Sequence, residues 1–464
     1  MAAVPIANDL GADVLLELLE KVINGLIDRG IQVVSYACDG TEVERSVQRL
    51  FIEKAERIEH KIKNPRSGCP DTQITIVRYR GQAMCMIQDS KHALKTFRNN
   101  LFSGARLLTF GNFTAIYNRI REIALEDDTP LYKRDVDKLD RQDDNAASRL
   151  FSSHVLQYLG DRHPDYVGEI VYLFVFGELI DAYQNRGISH TERLKLVLRS
   201  RYFLDAWATF VDHAGYKRTQ YFLSREAADI ARIIIEGYIS LLLIHRDHVP
   251  NIFPLLPWLH STEACEHAFG EARRIVKDFT FLDFIYMIPK LRIKIREAVL
   301  HAQGSDPRAR AAGYNHTYVD NTGINIPILS VYPSDVDIQD MAEQAAQEAD
   351  SLIALLGLTP GQLHRIQERR STAALPSITS WFHVPDNSDN LKDADSASLS
   401  SPIDDSDSDE FHGDDENLSE AQELQNLLDH EENKKLSRTQ KQEEQLLNLT
   451  CAAMAVVADD AMKV

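Results

Sequence analysis

Cysteine is scarce in this chain. The 464 residues include five (Cys38, Cys69, Cys85, Cys265 and Cys451), too scattered for a disulfide framework, and no C-x-x-C pair of the kind that opens a thiolate zinc finger. That usage fits a reducing compartment. Long apolar runs are also missing. The most apolar stretch, Ile233 to Ile244, is 12 residues long and contains Glu236, which is too short to span a bilayer, so no membrane association is expected. The opening MAAVPIANDLG has no basic stretch followed by an apolar one. No secretory signal is therefore expected, and the expected location is intracellular, nuclear or cytoplasmic. There is no internal repeat.

What is present suits a soluble protein with a sizeable core: 44% of residues are apolar and 26% charged. The length fits one very large domain or two to three units. The formal charge of −19 argues at first against a nucleic-acid partner. Its distribution removes that objection. Between Pro385 and Glu432 lie 17 acids and one base, Lys392, a net of −16, which leaves only −3 for the rest of the chain. An acidic tail follows a nearly neutral body, and such a tail can engage a basic protein or simply solvate the chain.

Hydrophobic periodicity predicts a helix over 8–28, with Leu15, Leu16, Leu19, Ile23 and Ile27 on one face. The β-rich IQVVSYA predicts a strand ending at Cys38-Asp39-Gly40. A second helix is expected over 43–63, then two strands, QITIVRY and GQAMCMI, the latter running into Asp89. From Lys91 to His245 the pattern is helical almost throughout, which reads as an all-α block set into an α/β frame. Helices are expected again over 261–275 and 280–298, a loop over 305–336, and helix over 337–370. From Ser371 the composition turns to Ser, Asp and Asn and predicts disorder, with a marginal helix over 418–447.

Three acidic points stand out in that frame. Asp39 and Asp89 each end a strand, Asp89 with His92 three residues on, and Glu263 and Glu266 open a later helix. Carboxylates at strand ends joined by one from a helix are a common way to hold divalent metal for phosphoryl transfer. Each signal has a plainer reading: Asp39-Gly40 as a turn or helix cap, D-x-x-H as structure, Glu266 as a solvated acid.

Taken in order, these segments carry a family resemblance. SYACDGTEVERSVQRLF resembles the strand-D-G-helix element of the ribonuclease-H-like DDE transposases of the P-element and hAT groups. MIQDSKHALKTFRNNL is similar to the P-element D-x-x-H element with its following K-x-x-R-N, here Asp89, His92, Lys95, Arg98 and Asn99. STEACEHAFGEAR resembles the third-acid helix, with Glu266, Phe269 and Arg273 in its E-x-x-F-to-base pattern, and FGELIDAYQNRG resembles a stretch of the P-element insertion domain. The resemblance covers roughly residues 8–300. It implies a partial ribonuclease-H-like core (1–92), a helical insertion (93–255), a return to the core (256–300), a C-terminal loop and helix (301–370) and a tail (371–464). It implies Asp39 as the second catalytic Asp and Glu266 as the third acid, both metal ligands for Mg²⁺, with Asp89 and His92 outside the metal triad. Asp181 and Asn185 fall where the P-element insertion domain helps bind GTP, although no Gly-rich phosphate loop or N-K-x-D lies nearby.

One departure weighs against activity. The family places its first catalytic Asp on a strand followed by a hairpin and a helix, all before the strand that here ends at Asp39. The acids upstream of Asp39 all lie in or beside the predicted first helix. Two carboxylates hold two metal ions poorly. The expectation is therefore a transposon-derived, catalytically inactive protein that retains DNA binding. Two alternatives stand beside it: an active transposase whose N-terminus is incomplete, and a helical protein-interaction scaffold. For DNA contact the candidates are Lys95 and Arg98, and the denser basic set opened by Arg273, Arg274 and Lys277 and continued by Lys290, Arg292, Lys294 and Arg296. Arg199, Arg201, Lys217 and Arg218 form a further basic group, and the chain is a candidate homo-oligomer.

Overall fold

The computed structural model describes residues 10–136, 141–250, 253–301 and 324–371. These all belong to the first of two units, Met1–Asp389. The chain runs α1 (Ala12–Ile27), β1 (Ser35–Cys38), α2 (Glu42–Lys54), β2 (Glu56–Ile62), β3 (Thr72–Tyr79), β4 (Gln82–Gln88) and α3 (Ser90–Phe102). A hairpin of β5 (Leu108–Phe110) and β6 (Phe113–Ala115) precedes α4 (Tyr117–Ile123), α5 (Asp144–Leu150), α6 (Ser153–Arg162), α7 (Val167–Gln184), α8 (His190–His213), α9 (Arg218–Tyr221) and α10 (Arg225–His248). Then follow α11 (Glu263–Ile275), α12 (Phe281–His301), α13 (Ile326–Leu329), α14 (Asp335–Leu355) and α15 (Pro360–Ser371). The fold is mixed α/β and mostly helical, with small sheets. No helix of the described residues is long and apolar enough to cross a membrane.

The main sheet has the order β1-β4-β3-β2. β1 runs parallel to β4, with Cys38 opposite Gln88, while β4, β3 and β2 form an antiparallel meander. β4 (QAMCMIQ) is buried almost from end to end, and alternate side chains serve two cores. Met84 and Met86 pack with Leu16, Ile23, Val47 and Phe51 under α1 and α2. Ala83, Cys85 and Ile87 join the main core with side chains from α3, α7, α8, α10 and α14. That main core draws on residues from Ile62 to Leu363, so one apolar interior runs through the sheet and the helical block alike. Gly237 lets α10 lie directly on the sheet: a Cβ there would come 3.0 Å from the Met86 carbonyl oxygen.

Two expectations are corrected here. The helix predicted over 43–63 stops at Lys54, and residues 56–62 are strand β2, paired along its length with β3. Ile58, His60 and Ile62 turn inward while Arg57, Glu59 and Lys61 face out, a period of two that the preceding helical period had masked. The block from Lys91 to His245 is also not purely helical, because it contains the β5–β6 hairpin. Strands of three residues are too short to show a period, but Phe110 is buried 4.3 Å from the Trp207 ring, and the Trp207 indole donates to the Thr109 carbonyl at 2.8 Å. The chain order of α1, β1 and α2 followed by the strands β3 and β4 is the one expected, with β2 added ahead of them. The tail expected from Ser371 lies, from 372 onward, outside the described residues.

The packing of α7 on the hairpin makes a direct test. A Cβ on Gly168 of α7 would fall 2.3 Å from the Thr114 carbonyl oxygen of β6. Gly168→Ala is therefore expected to cost about 1–3 kcal/mol, read as a lower urea midpoint; an unchanged midpoint would show that the contact is loose.

Candidate functional site

Because β1 and β4 are parallel and in register, their ends lie side by side, and the Asp89 amide donates to the Cys38 carbonyl at 2.8 Å. The residues that follow, Asp39 and Asp89, meet different fates. Gly40 turns with φ +97°, and a Cβ there would sit 2.4 Å from the Gln88 side-chain oxygen, so only glycine fits. Asp39 is left exposed on that turn, and Thr41 and Glu44 start α2 with a reciprocal cap.

Asp89 is 2% exposed and fully engaged. Its Oδ1 caps α3, accepting from the amides of Lys91 (2.7 Å) and His92 (3.2 Å). Its Oδ2 accepts from the amide (2.9 Å) and hydroxyl (3.0 Å) of Thr262, the residue just before α11. One carboxylate thereby fixes the starts of two helices against each other. Lys91 reinforces the junction, its Nζ 3.0 Å from the nearly buried Glu263.

That junction brings three ligand-type side chains together. His92 Nε2 lies 2.8 Å from Glu266 Oε1 and 3.8 Å from Asp39 Oδ1. A ligand atom from each of the three falls within 4.8 Å of the others. Burial is the largest influence and disfavours the charged imidazolium, but the hydrogen bond to Glu266 and the nearby Asp39 and Asp89 carboxylates together outweigh it, and the His92 pKa is raised. The same hydrogen bond holds the Glu266 carboxyl below its ordinary value, against the effect of burial.

The structure thus gathers Asp39 and Glu266, adds His92, and leaves Glu263 and Asp89 outside the group. As the third residue of a helix capped by Asp89, His92 is set at the helix end nearest both acids. The D-x-x-H spacing carried that signal, since an aspartate three residues before a histidine reads as a cap followed by a first-turn side chain.

Several candidate contact residues are corrected. Arg98 is 1% exposed, and its guanidinium donates to the Asp135 carbonyl at 2.9 Å, so it is part of the core. Lys95 is 7% exposed and pairs with Asp144 at 3.0 Å. Arg199 and Arg201 are likewise buried, paired with Glu178 and Glu348 and with Asp205 and Glu236. Arg273, Arg274 and Lys277 are exposed, as are Lys290, Arg292, Lys294 and Arg296, so α11 and α12 carry a basic surface. Asp181 and Asn185 lie at the C-terminal end of α7, where the Asn185 side chain accepts from the Gly187 amide at 2.9 Å. A helix C-terminus carries partial negative charge and repels phosphate.

No family model matches the sequence, and no curated protein matches it. Among solved structures, the chain is distantly similar to the Drosophila P element transposase strand transfer complex, with 15% identity and a TM-score of 0.42. The match covers 60% of this chain and 63% of that one. A likeness of that extent is too partial to fix a fold or a function.

The His92–Glu266 pair predicts a pH signature. A raised His92 pKa stabilises the fold fully below the ordinary 6.5 and loses that contribution as pH rises through the raised value. A lowered Glu266 pKa contributes above the ordinary 4.5 and is lost as pH falls through the lowered value. Both contributions are present between those limits. In urea unfolding, Glu266→Gln is expected to destabilise the protein more at about pH 5.5 than at about pH 8.5. Equal destabilisation at the two would show that the pair is not charge-assisted.

Proposed function

We propose that this chain is a transposon-derived protein of the DDE transposase type that binds DNA and does not cut it. The observation that carries this reading is the convergence of Asp39 and Glu266, from distant parts of the sequence, on His92 of the D-x-x-H element. Three motifs that resemble the family in sequence order lie together in space, which unrelated capping residues would not require.

The same geometry supports inactivity. Two-ion phosphoryl transfer needs carboxylates enough to bridge and balance both ions. Among the described residues the group has two, Asp39 and Glu266, and Asp89 is committed to Thr262 and to the α3 cap. The donor set does not fit a pair of Mg²⁺ ions. DNA would lie along the exposed bases of α11 and α12, beside the group, held through its phosphates. The position of Asp181 and Asn185 at a helix C-terminus gives GTP no support.

Duplex binding measured by fluorescence anisotropy across a salt series, with a nicking assay in Mg²⁺ and Mn²⁺, tests this. Expected are binding at low salt, a steep salt dependence, and no strand cleavage. Arg273→Ala/Lys277→Ala should flatten the log–log salt slope by about two. Cleavage that is lost in Asp39→Ala/Glu266→Ala, or no DNA affinity at low salt, would contradict the reading.

A further inference from the structure

The group at the α3–α11 junction differs from a magnesium site in kind as well as in number. Mg²⁺ sites are built from oxygens in near-octahedral order and keep several waters. Here one of three ligands is an imidazole nitrogen, the donor that suits Zn²⁺ and related ions. The spacing is close to what one small ion requires. Bonds of about 2.0–2.2 Å to a tetrahedral Zn²⁺ place donors about 3.3–3.5 Å apart. The distances from His92 Nε2, 2.8 Å to Glu266 and 3.8 Å to Asp39, bracket that value. Small side-chain rotations close the difference, and the exposure of Asp39 and Glu266 leaves a face open for water.

We propose that Asp39, His92 and Glu266 bind a single Zn²⁺, with water in the fourth position, and that the ion acts as a pin between the body and the α11–α12 pair. The need for a pin is visible in the packing. α11 and α12 have their own small core of Ala272, Phe284, Met287 and Leu291, separate from the main one. The start of α11 is tied to the body by polar contacts: Thr262 to Asp89, Glu263 to Lys91, Glu266 to His92. Such contacts yield to water more readily than buried apolar area does. An ion shared by the β1–α2 turn, α3 and α11 would replace one exposed hydrogen bond with three coordinate bonds. It would hold the basic surface of α11 and α12 in one orientation. This rests on the assignment of Asp39 and Glu266 as ligands made above, and not on descent from a transposase.

The test uses the full chain in a Cys265→Ser background, because that exposed thiol adjoins Glu266 and would compete for Zn²⁺. Calorimetric titration with ZnCl₂ and with MgCl₂ is expected to give one Zn²⁺ per chain, bound far more tightly than Mg²⁺. Co²⁺ as a probe should show visible bands of a low-coordinate site without the near-ultraviolet band of a thiolate ligand. His92→Ala should weaken Zn²⁺ binding by roughly tenfold or more and leave the weak Mg²⁺ binding as it was. Equal affinity for the two ions, or Zn²⁺ binding indifferent to His92→Ala, would overturn the proposal. A chain that takes Zn²⁺ at these residues and ignores DNA supports the pin and refutes the nucleic-acid reading. A chain that binds DNA and takes no Zn²⁺ does the reverse.

Discussion

The whole site hangs on one buried carboxylate. Asp89 receives four donors, two from the first turn of α3 and two from Thr262. Hydrogen bonds to a charged group are worth about 1.5–3 kcal/mol each, and a carboxylate removed from water without such partners is costly. Its demand for donors is met only when α3 and α11 begin at the same place. His92 and Glu266 then become neighbours as a consequence, and Asp39 arrives from the parallel strand end next door. The residue that assembles the group is thus not a member of it.

The sheet behind the junction supplies the rigidity. β4 is buried on both faces, with methionines toward one core and Ala83, Cys85 and Ile87 toward the other. α10 lies against it through Gly237. Strand ends set in such a frame shift little, so the loops leaving them start from fixed points. By contrast, α11 and α12 stand on a separate small core, which places the tunable part of the molecule at the junction.

Much of this was legible in the sequence, and the failures have physical causes. β1, β3 and β4 could be read because β-branched and apolar residues run unbroken between turn signals. β2 was lost because ERIEHKI follows a strong helix without a break residue, and its alternation is carried by a histidine as well as isoleucines. The hairpin at 108–115 has strands of three residues, below any period, and is held by Trp207 from far along the chain. At the site, the sequence singled out Asp39, Asp89, His92 and Glu266 but set His92 apart from the two acids that it meets in the fold. It could not say that Asp89 would turn inward to Thr262 while His92 turned outward to the acids, because that choice is made by α11 packing against α3. The basic residues show the same limit. Arg98 and Lys95 have the charge of a DNA contact, but the aromatic and acidic groups around them had already claimed them, whereas the arginines and lysines of α11 and α12 are exposed.

Hydrogen exchange at the α11 amides in an Asp89→Ser protein tests the central claim most directly. Serine still caps α3 but has no second oxygen to reach Thr262. If Asp89 fastens α11 to the body, amides 263–275 should lose protection while those of α10 keep theirs. Unchanged protection over 263–275 would contradict the account, since α11 would then be held by something other than this carboxylate.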